Sequence, residues 1–244
     1  MADVDYPSYL ALDELLTLQR PRSQPEHPDE LLFIVVHQSS ELWFKVIIQQ
    51  IEAVLDELAA GDADRALWHV QRINSLMRII TEQLSSLDTL PPQRFMQFRG
   101  YLGASSGQQS LQFRVVGVLS GFHDETFVNA LKVDGEVPTA VRDALARPRP
   151  EDLFLQLVAA RGRKLEELYL GRGPDPLYFL AEALLEYDQA FQRWRFQHVQ
   201  LVERIIGPLT SGTGGSSGAA FLAQSVRHRF FPTLWEVRAQ LFGG

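Results

Sequence analysis

Apolar residues in this chain recur at three- and four-residue steps over long uninterrupted runs, the period of an α-helix and not of a strand. From Asp29 to Ala60 the positions Phe33, His37, Ser40, Phe44, Ile47, Ile51, Val54 and Leu58 mark one interior-facing side of a long helix. A second helix is predicted over Asp62–Leu87, with Asp62 as N-cap after Gly61 and the Asp88-Thr89-Leu90-Pro91-Pro92 turn as its end. Shorter helices are predicted over Gly107–Leu119, Asp124–Leu131, Thr139–Leu145 and Pro150–Arg161. The last long helix runs from Pro176 to Ile206, where Gly207 and Pro208 stop it. A loop from Ser211 to Gly218 and two short helices follow. No alternating strand run, internal repeat or charge block breaks the pattern, and the glycine-rich stretch is too short to join two domains. The expected fold is an all-α helical bundle, with residues 1–244 forming a single domain.

Composition narrows the chemistry. The chain has no cysteine, which excludes disulfides, thiolate metal sites, iron–sulfur clusters and a cysteine nucleophile. Histidine, carboxylates and hydroxyls are left to act. A net charge of −7 offers no global field for nucleic acid or an anionic membrane. Asp3 and Asp5 near the N-terminus do not fit a secretory signal, and the most apolar stretch, Leu31–Val36, is far short of a bilayer span. A soluble cytoplasmic protein with neither a nucleic-acid nor a membrane partner is expected.

Two of the six histidines stand in unusual places. Leu184, Tyr187, Phe191, Trp194, His198, Leu201 and Ile205 alternate steps of three and four, so His198 interrupts an apolar seam. An imidazole there either bonds a backbone carbonyl or ligates a metal or haem iron. His37, one turn after Phe33, poses the same choice. His27, His69, His123 and His228 read as solvated side chains. No histidine has Glu three positions before it and no His-Glu-x-x-His occurs, so di-iron and zinc-protease sites are excluded. A metal here would not be held by a short local cluster, and one histidine plus a macrocycle meets that restriction. Gly212–Gly218 lacks both the lysine of a Walker loop and the spacing of a dinucleotide fingerprint; it remains a turn, or a set of backbone N–H groups open to a ligand. Arg99, set among Phe95, Phe98 and Tyr101, suits a carboxylate, from the protein or from a ligand.

Four segments together resemble the tryptophan 2,3-dioxygenase family. They are Tyr6-Pro-Ser-Tyr9 through Leu16, His27-Pro-Asp-Glu-Leu-Leu-Phe33 through His37 to Lys45, Phe98-Arg99 through Ser105-Ser106-Gly107 to Arg114, and His198 through Gly207 to Gly212-Thr213 and Gly218. The resemblance implies an all-helical domain holding haem b, with dioxygen as co-substrate, assembled as a homotetramer. It implies His198 as proximal ligand of the haem iron and Ser106 and Gly107 as pocket lining. It implies His37 as the distal catalytic histidine meeting the indole N–H, with Phe33 beside it. Arg99 would clamp the substrate carboxylate, with Leu102 nearby and Thr213 at the ammonium end. Tyr6, Tyr9 and Leu10 would form an arm, within residues 1–10, that reaches a neighbouring subunit's site.

The activity so implied is insertion of dioxygen into L-tryptophan or a derivative, cleaving C2–C3 to an N-formylkynurenine at the entrance of the kynurenine pathway. The alternative is a haem-dependent monooxygenase giving a 2-oxindole in specialised metabolism, and a haem- or indole-binding sensor is a third reading. Gln108 stands where relatives carry an aromatic residue, and the stretch Pro208–Ser211 is one residue longer than in relatives.

Overall fold

Local signals set where each helix begins and ends in a computed structural model of the chain, which describes residues 4–133, 135–171, 173, 175–207 and 226–242. Two short N-terminal turns, α1 (Tyr6–Tyr9) and α2 (Leu12–Leu15), lead to the long α3 (Pro28–Ala60). Proline at its first position suits α3, because that N–H would lack a helical partner anyway. Gly61 ends it at φ 80°, a left-handed geometry that a side chain would strain. Asp62 then caps α4 (Ala63–Leu84), its carboxylate accepting the Arg65 N–H at 3.0 Å. Next come α5 (Pro92–Arg99), α6 (Leu111–Ser120), α7 (Glu125–Ala130), α8 (Thr139–Leu145) and α9 (Pro150–Ala160). The chain continues through α10 (Leu165–Leu170), α11 (Pro176–Ile206) and α12 (Pro232–Phe242). The described residues contain no strand, only an isolated bridge between Val133 and Glu136.

The three long helices pack as a layer with α4 between α3 and α11. Ile47 and Ile51 of α3, Ile73 and Met77 of α4, and Leu180 and Leu184 of α11 are at most 2 % exposed. Each contributes about 1.5–3 kcal/mol by leaving water. Helices α6 and α9 close on α3, and α8 on α6. At the C-terminal end the buried Asp188 accepts from the Phe230 backbone N–H (3.1 Å) and the Trp235 indole N–H (2.8 Å), which docks α12 on α11.

Several expectations need revision. The helix expected over Gly107–Leu119 is broken: Gly107–Gln109 forms a 3₁₀ turn, and α6 starts only after Ser110, whose hydroxyl accepts the Phe113 N–H at 3.1 Å. A serine side chain competing for backbone groups explains that boundary. The second helix stops at Leu84 and tightens into a 3₁₀ turn over Ser85–Thr89. The first of the two short helices expected after Gly218 falls outside the described residues, and α1, α2, α5 and α10 add to the helices predicted from the pattern. Among the described residues α3 alone is long and apolar enough to cross a membrane; its buried apolar residues lie in the shared core.

The long faces also depart from pattern at their histidines. On α3, Ser40, Phe44, Ile47, Ile51, Val54 and Leu58 are buried, Phe33 is half-buried, and His37, expected to face the interior, is exposed. On α11, Leu184, Tyr187, Phe191, Trp194, Leu201 and Ile205 are buried, and His198 is half-buried. Both faces open where they carry an imidazole.

Candidate active site

Helix α3 holds His37 by its own backbone. The ring Nδ1 lies 2.7 Å from the Phe33 carbonyl oxygen, and a carbonyl only accepts, so Nδ1 carries the proton in the neutral ring. Nε2 is then left with its lone pair. The Phe33 ring lies 4.2 Å from the His37 ring and fixes its plane. His37 is exposed to solvent yet surrounded by enough protein to be partly desolvated. That enclosure lowers its pKa, against the raising effects of the Phe33 carbonyl and of Glu41 one turn on.

His198 on α11 is more enclosed. Burial, and to a lesser degree a charge on His37, lower its pKa to about 4. Its ring stacks on Trp194 at 5.3 Å and 27°, and Trp194 touches Phe44 and Phe113 at 5.8 and 5.1 Å. Through the Phe44–Trp194 contact α3 and α11 meet directly, which brings the two imidazoles within electrostatic reach. A neutral imidazole amid aromatic rings suits a haem iron. No group of three or more His, Asp or Glu among the described residues could hold a metal ion; a single imidazole such as His198 suits a macrocycle, which supplies its metal's other ligands.

Arg99 ends α5, half-buried. Its helix is anchored by buried Phe95 and Phe98, whose rings lie 5.7 and 5.8 Å from that of Phe33. An Arg94–Asp29 ion pair adds a second tie to α3. Phe33, His37 and the helix bearing Arg99 therefore share one aromatic cluster. Leu102 packs half-buried against the core just beyond. Ser106 is half-buried, its N–H donating to Gln109 Oε1 at 3.1 Å, and among the described residues a Cβ on the exposed Gly107 would meet nothing within 4 Å. Tyr6, Tyr9 and Leu10 are 72, 78 and 39 % exposed, and α1 buries none of its side chains. Thr213 and the rest of the glycine-rich loop lie outside the described residues.

The four histidines expected to be solvated are each half-buried and engaged. His27 caps α3; His69 Nδ1 lies 2.9 Å from Gln50 Oε1, and His123 Nε2 lies 3.0 Å from the Val118 carbonyl oxygen. His228 packs edge-on to Phe122 at 5.4 Å. The contacts of His69 and His228 join separate stretches of chain, that of His27 depends on a helix start and that of His123 folds back on the end of α6, so side-chain spacing did not announce them. Sequence reasoning also missed the bond from Gln112 Nε2 to Glu41 Oε2 (2.9 Å), which ties α6 to α3 one turn past His37. Two open surface hollows of about 560 and 520 Å³ adjoin the Glu182–Arg238 ion pair on α11 and α12; His37, His198 and Arg99 line neither of them.

The tryptophan 2,3-dioxygenase family profile matches residues 1–164 and 152–241. A tryptophan 2,3-dioxygenase of Kineococcus radiotolerans is 38 % identical over 98 % of this chain and 92 % of its own length. One from Herpetosiphon aurantiacus is 39 % identical over 97 % of this chain and 98 % of its own. One from Saccharopolyspora erythraea is 36 % identical over 98 % and 93 %. With an all-helical fold and matches spanning nearly its whole length, the chain belongs to the tryptophan 2,3-dioxygenase family.

Proposed function

We propose that this chain is a haem-dependent tryptophan 2,3-dioxygenase that opens the indole of L-tryptophan between C2 and C3 to give N-formylkynurenine. The observation that carries the reading is the pairing of His37 and His198, two neutral imidazoles in unlike settings. His37 is bonded to its own backbone and keeps Nε2 free, while His198 sits in an aromatic wall.

His198 is the residue that would hold haem b, through a ring nitrogen, with Ser106 and Gly107 lining its pocket. When bound, the haem supplies the reduced iron on which dioxygen is activated. The protein's part is binding and orientation. Arg99 takes the substrate carboxylate in a charge-assisted pair, and Thr213 takes the ammonium end. Phe33 lies against the indole plane. His37 Nε2 accepts a hydrogen bond from the indole N–H and is placed to take that proton as C2 and C3 react. Holding the ring in one pose is the main catalytic device, because it turns an encounter into an oriented reaction. Tyr6, Tyr9 and Leu10 cover the pocket of a neighbouring subunit in a homotetramer, which places apolar side chains against substrate and excludes water. A cytoplasmic location suits this chemistry.

Mass spectrometry after incubation of the ferrous protein with isotopically labelled dioxygen and L-tryptophan tests the reading. The expected product carries both labelled oxygen atoms and the N-formylkynurenine chromophore. Gain of a single oxygen would overturn ring cleavage in favour of 2-oxindole formation.

A further inference from the structure

We propose that the segment from Arg22 to His27 is a clasp that sets Arg99 relative to His37, with His27 as its positioning residue; this rests on the dioxygenase reading above. Two residues before Arg99, Gln97 Oε1 lies 2.9 Å from His27 Nε2. Two residues after it, the Tyr101 hydroxyl donates to the Gln24 carbonyl at 2.8 Å. The turn that carries Arg99 is thus gripped on both sides by one four-residue stretch of chain.

The same stretch is locked to the helix that carries His37. The His27 Nδ1 accepts the Asp29 N–H at 3.2 Å, which caps α3. That bond requires an unprotonated Nδ1, so the neutral ring carries its proton on Nε2 and donates it to Gln97. Both ring nitrogens are committed, one to each helix. The His27 N–H donates to Ser23 Oγ (2.8 Å), and Ser23 Oγ donates to Glu30 Oε2 (2.5 Å). Glu30, 1 % exposed on the first turns of α3, also accepts the backbone N–H groups of Arg22 (2.7 Å) and Ser23 (3.0 Å). The His27 ring lies 5.2 Å from Phe98, which in turn touches Phe33. An unbroken path of hydrogen bonds and ring contacts therefore runs from the His37 helix to both flanks of Arg99. A simple cap would use Nδ1 alone and would leave α5 untouched.

The test uses the haem-loaded protein and the variants His27→Asn, Gln97→Ala and Tyr101→Phe. Asparagine keeps the cap but is too short to reach Gln97 as well. Spectroscopic titrations compare L-tryptophan with tryptamine, which lacks the carboxylate. If the clasp places Arg99, each variant weakens L-tryptophan binding about three- to tenfold, the worth of one neutral hydrogen bond. Tryptamine binding and the rate at saturating substrate stay near wild type, and His27→Asn with Gln97→Ala is no worse than either alone. An unchanged preference for L-tryptophan in all three variants overturns the proposal. Wild-type protein that binds the two ligands equally overturns the carboxylate role of Arg99 instead. Amide hydrogen exchange across Phe95–Arg99 then decides the clasp: faster exchange in His27→Asn and Gln97→Ala supports it, and wild-type exchange overturns it.

Discussion

A charge on His37 opposes protonation of His198, so the two imidazoles of this fold behave as an electrostatic pair although they stand on helices far apart in sequence. Enclosure by protein already biases each toward its neutral form. The pair thereby offers one lone pair on each of two rings, the condition for one to bind a metal while the other receives a proton. Their surroundings differ. His37 is tethered by Nδ1 to the Phe33 carbonyl, and His198 stands against the Trp194 ring.

Replacing His198 separates cofactor binding from folding. His198→Ala should purify as a folded helical protein without stoichiometric haem, or with a strongly altered Soret band. A variant with wild-type haem content and spectrum would remove His198 as the iron ligand.

The acid side of the activity profile should report His37. Its pKa lies below the ordinary histidine value because the ring is enclosed, so the ring is neutral near pH 7. As pH falls through that lowered value, Nε2 gains a proton and two donors face each other where the indole N–H needs an acceptor. kcat/KM should therefore hold steady down to about pH 6.5, the unperturbed value, and fall only below it. The same limb should be missing in the residual activity of His37→Ala. An acid limb of equal position in both proteins would assign the titration elsewhere.

Arg99→Leu should lose chiefly affinity. A charge-assisted bond contributes about 1.5–3 kcal/mol, which corresponds to a rise of roughly 10- to 150-fold in Kd for L-tryptophan. Equal binding of L-tryptophan to variant and wild type would show that the carboxylate is held by another group.

Asp188 offers a prediction about stability alone. Its carboxylate accepts from both the Phe230 N–H and the Trp235 indole. In Asp188→Asn one of those donors faces an amide NH₂ and loses its partner, at a cost of about 1–3 kcal/mol. Thermal unfolding should shift down accordingly, and the near-ultraviolet signal of Trp235 should weaken. An unchanged melting temperature would mean that the middle of α11 holds α12 by packing alone.

Deletion of residues 1–10 should weaken assembly and substrate binding together while leaving the haem in place. Tyr6 and Tyr9 are 72 and 78 % exposed in the single chain, and ordered aromatic side chains on a terminal segment need a surface to cover them. Size-exclusion chromatography with light scattering measures the assembly. A fully active wild-type monomer would remove the shared pocket.

Helical class and most helix limits were legible in the order of residues because they depend on neighbours within a few positions. Asp62 as a cap, Gly61 as a left-handed stop and the three-and-four step from Leu184 to Ile205 are local facts, and the helices over Thr139–Leu145 and Pro176–Ile206 sit where the pattern put them. His37 and His198 stood out for the same reason, since a polar ring breaks an apolar face visibly. Resemblance to a family then named roles that spacing alone left open. Tertiary structure decided the rest. Neither the exposure of His37, nor the influence of its charge on His198, nor the aromatic cluster joining Phe33 to Phe95 and Phe98 follows from periodicity, because each depends on how separate helices pack. His27 shows the limit most clearly. Between Glu26 and Pro28 it reads as a solvated side chain, and only the approach of α5 gives its second nitrogen a partner seventy residues away.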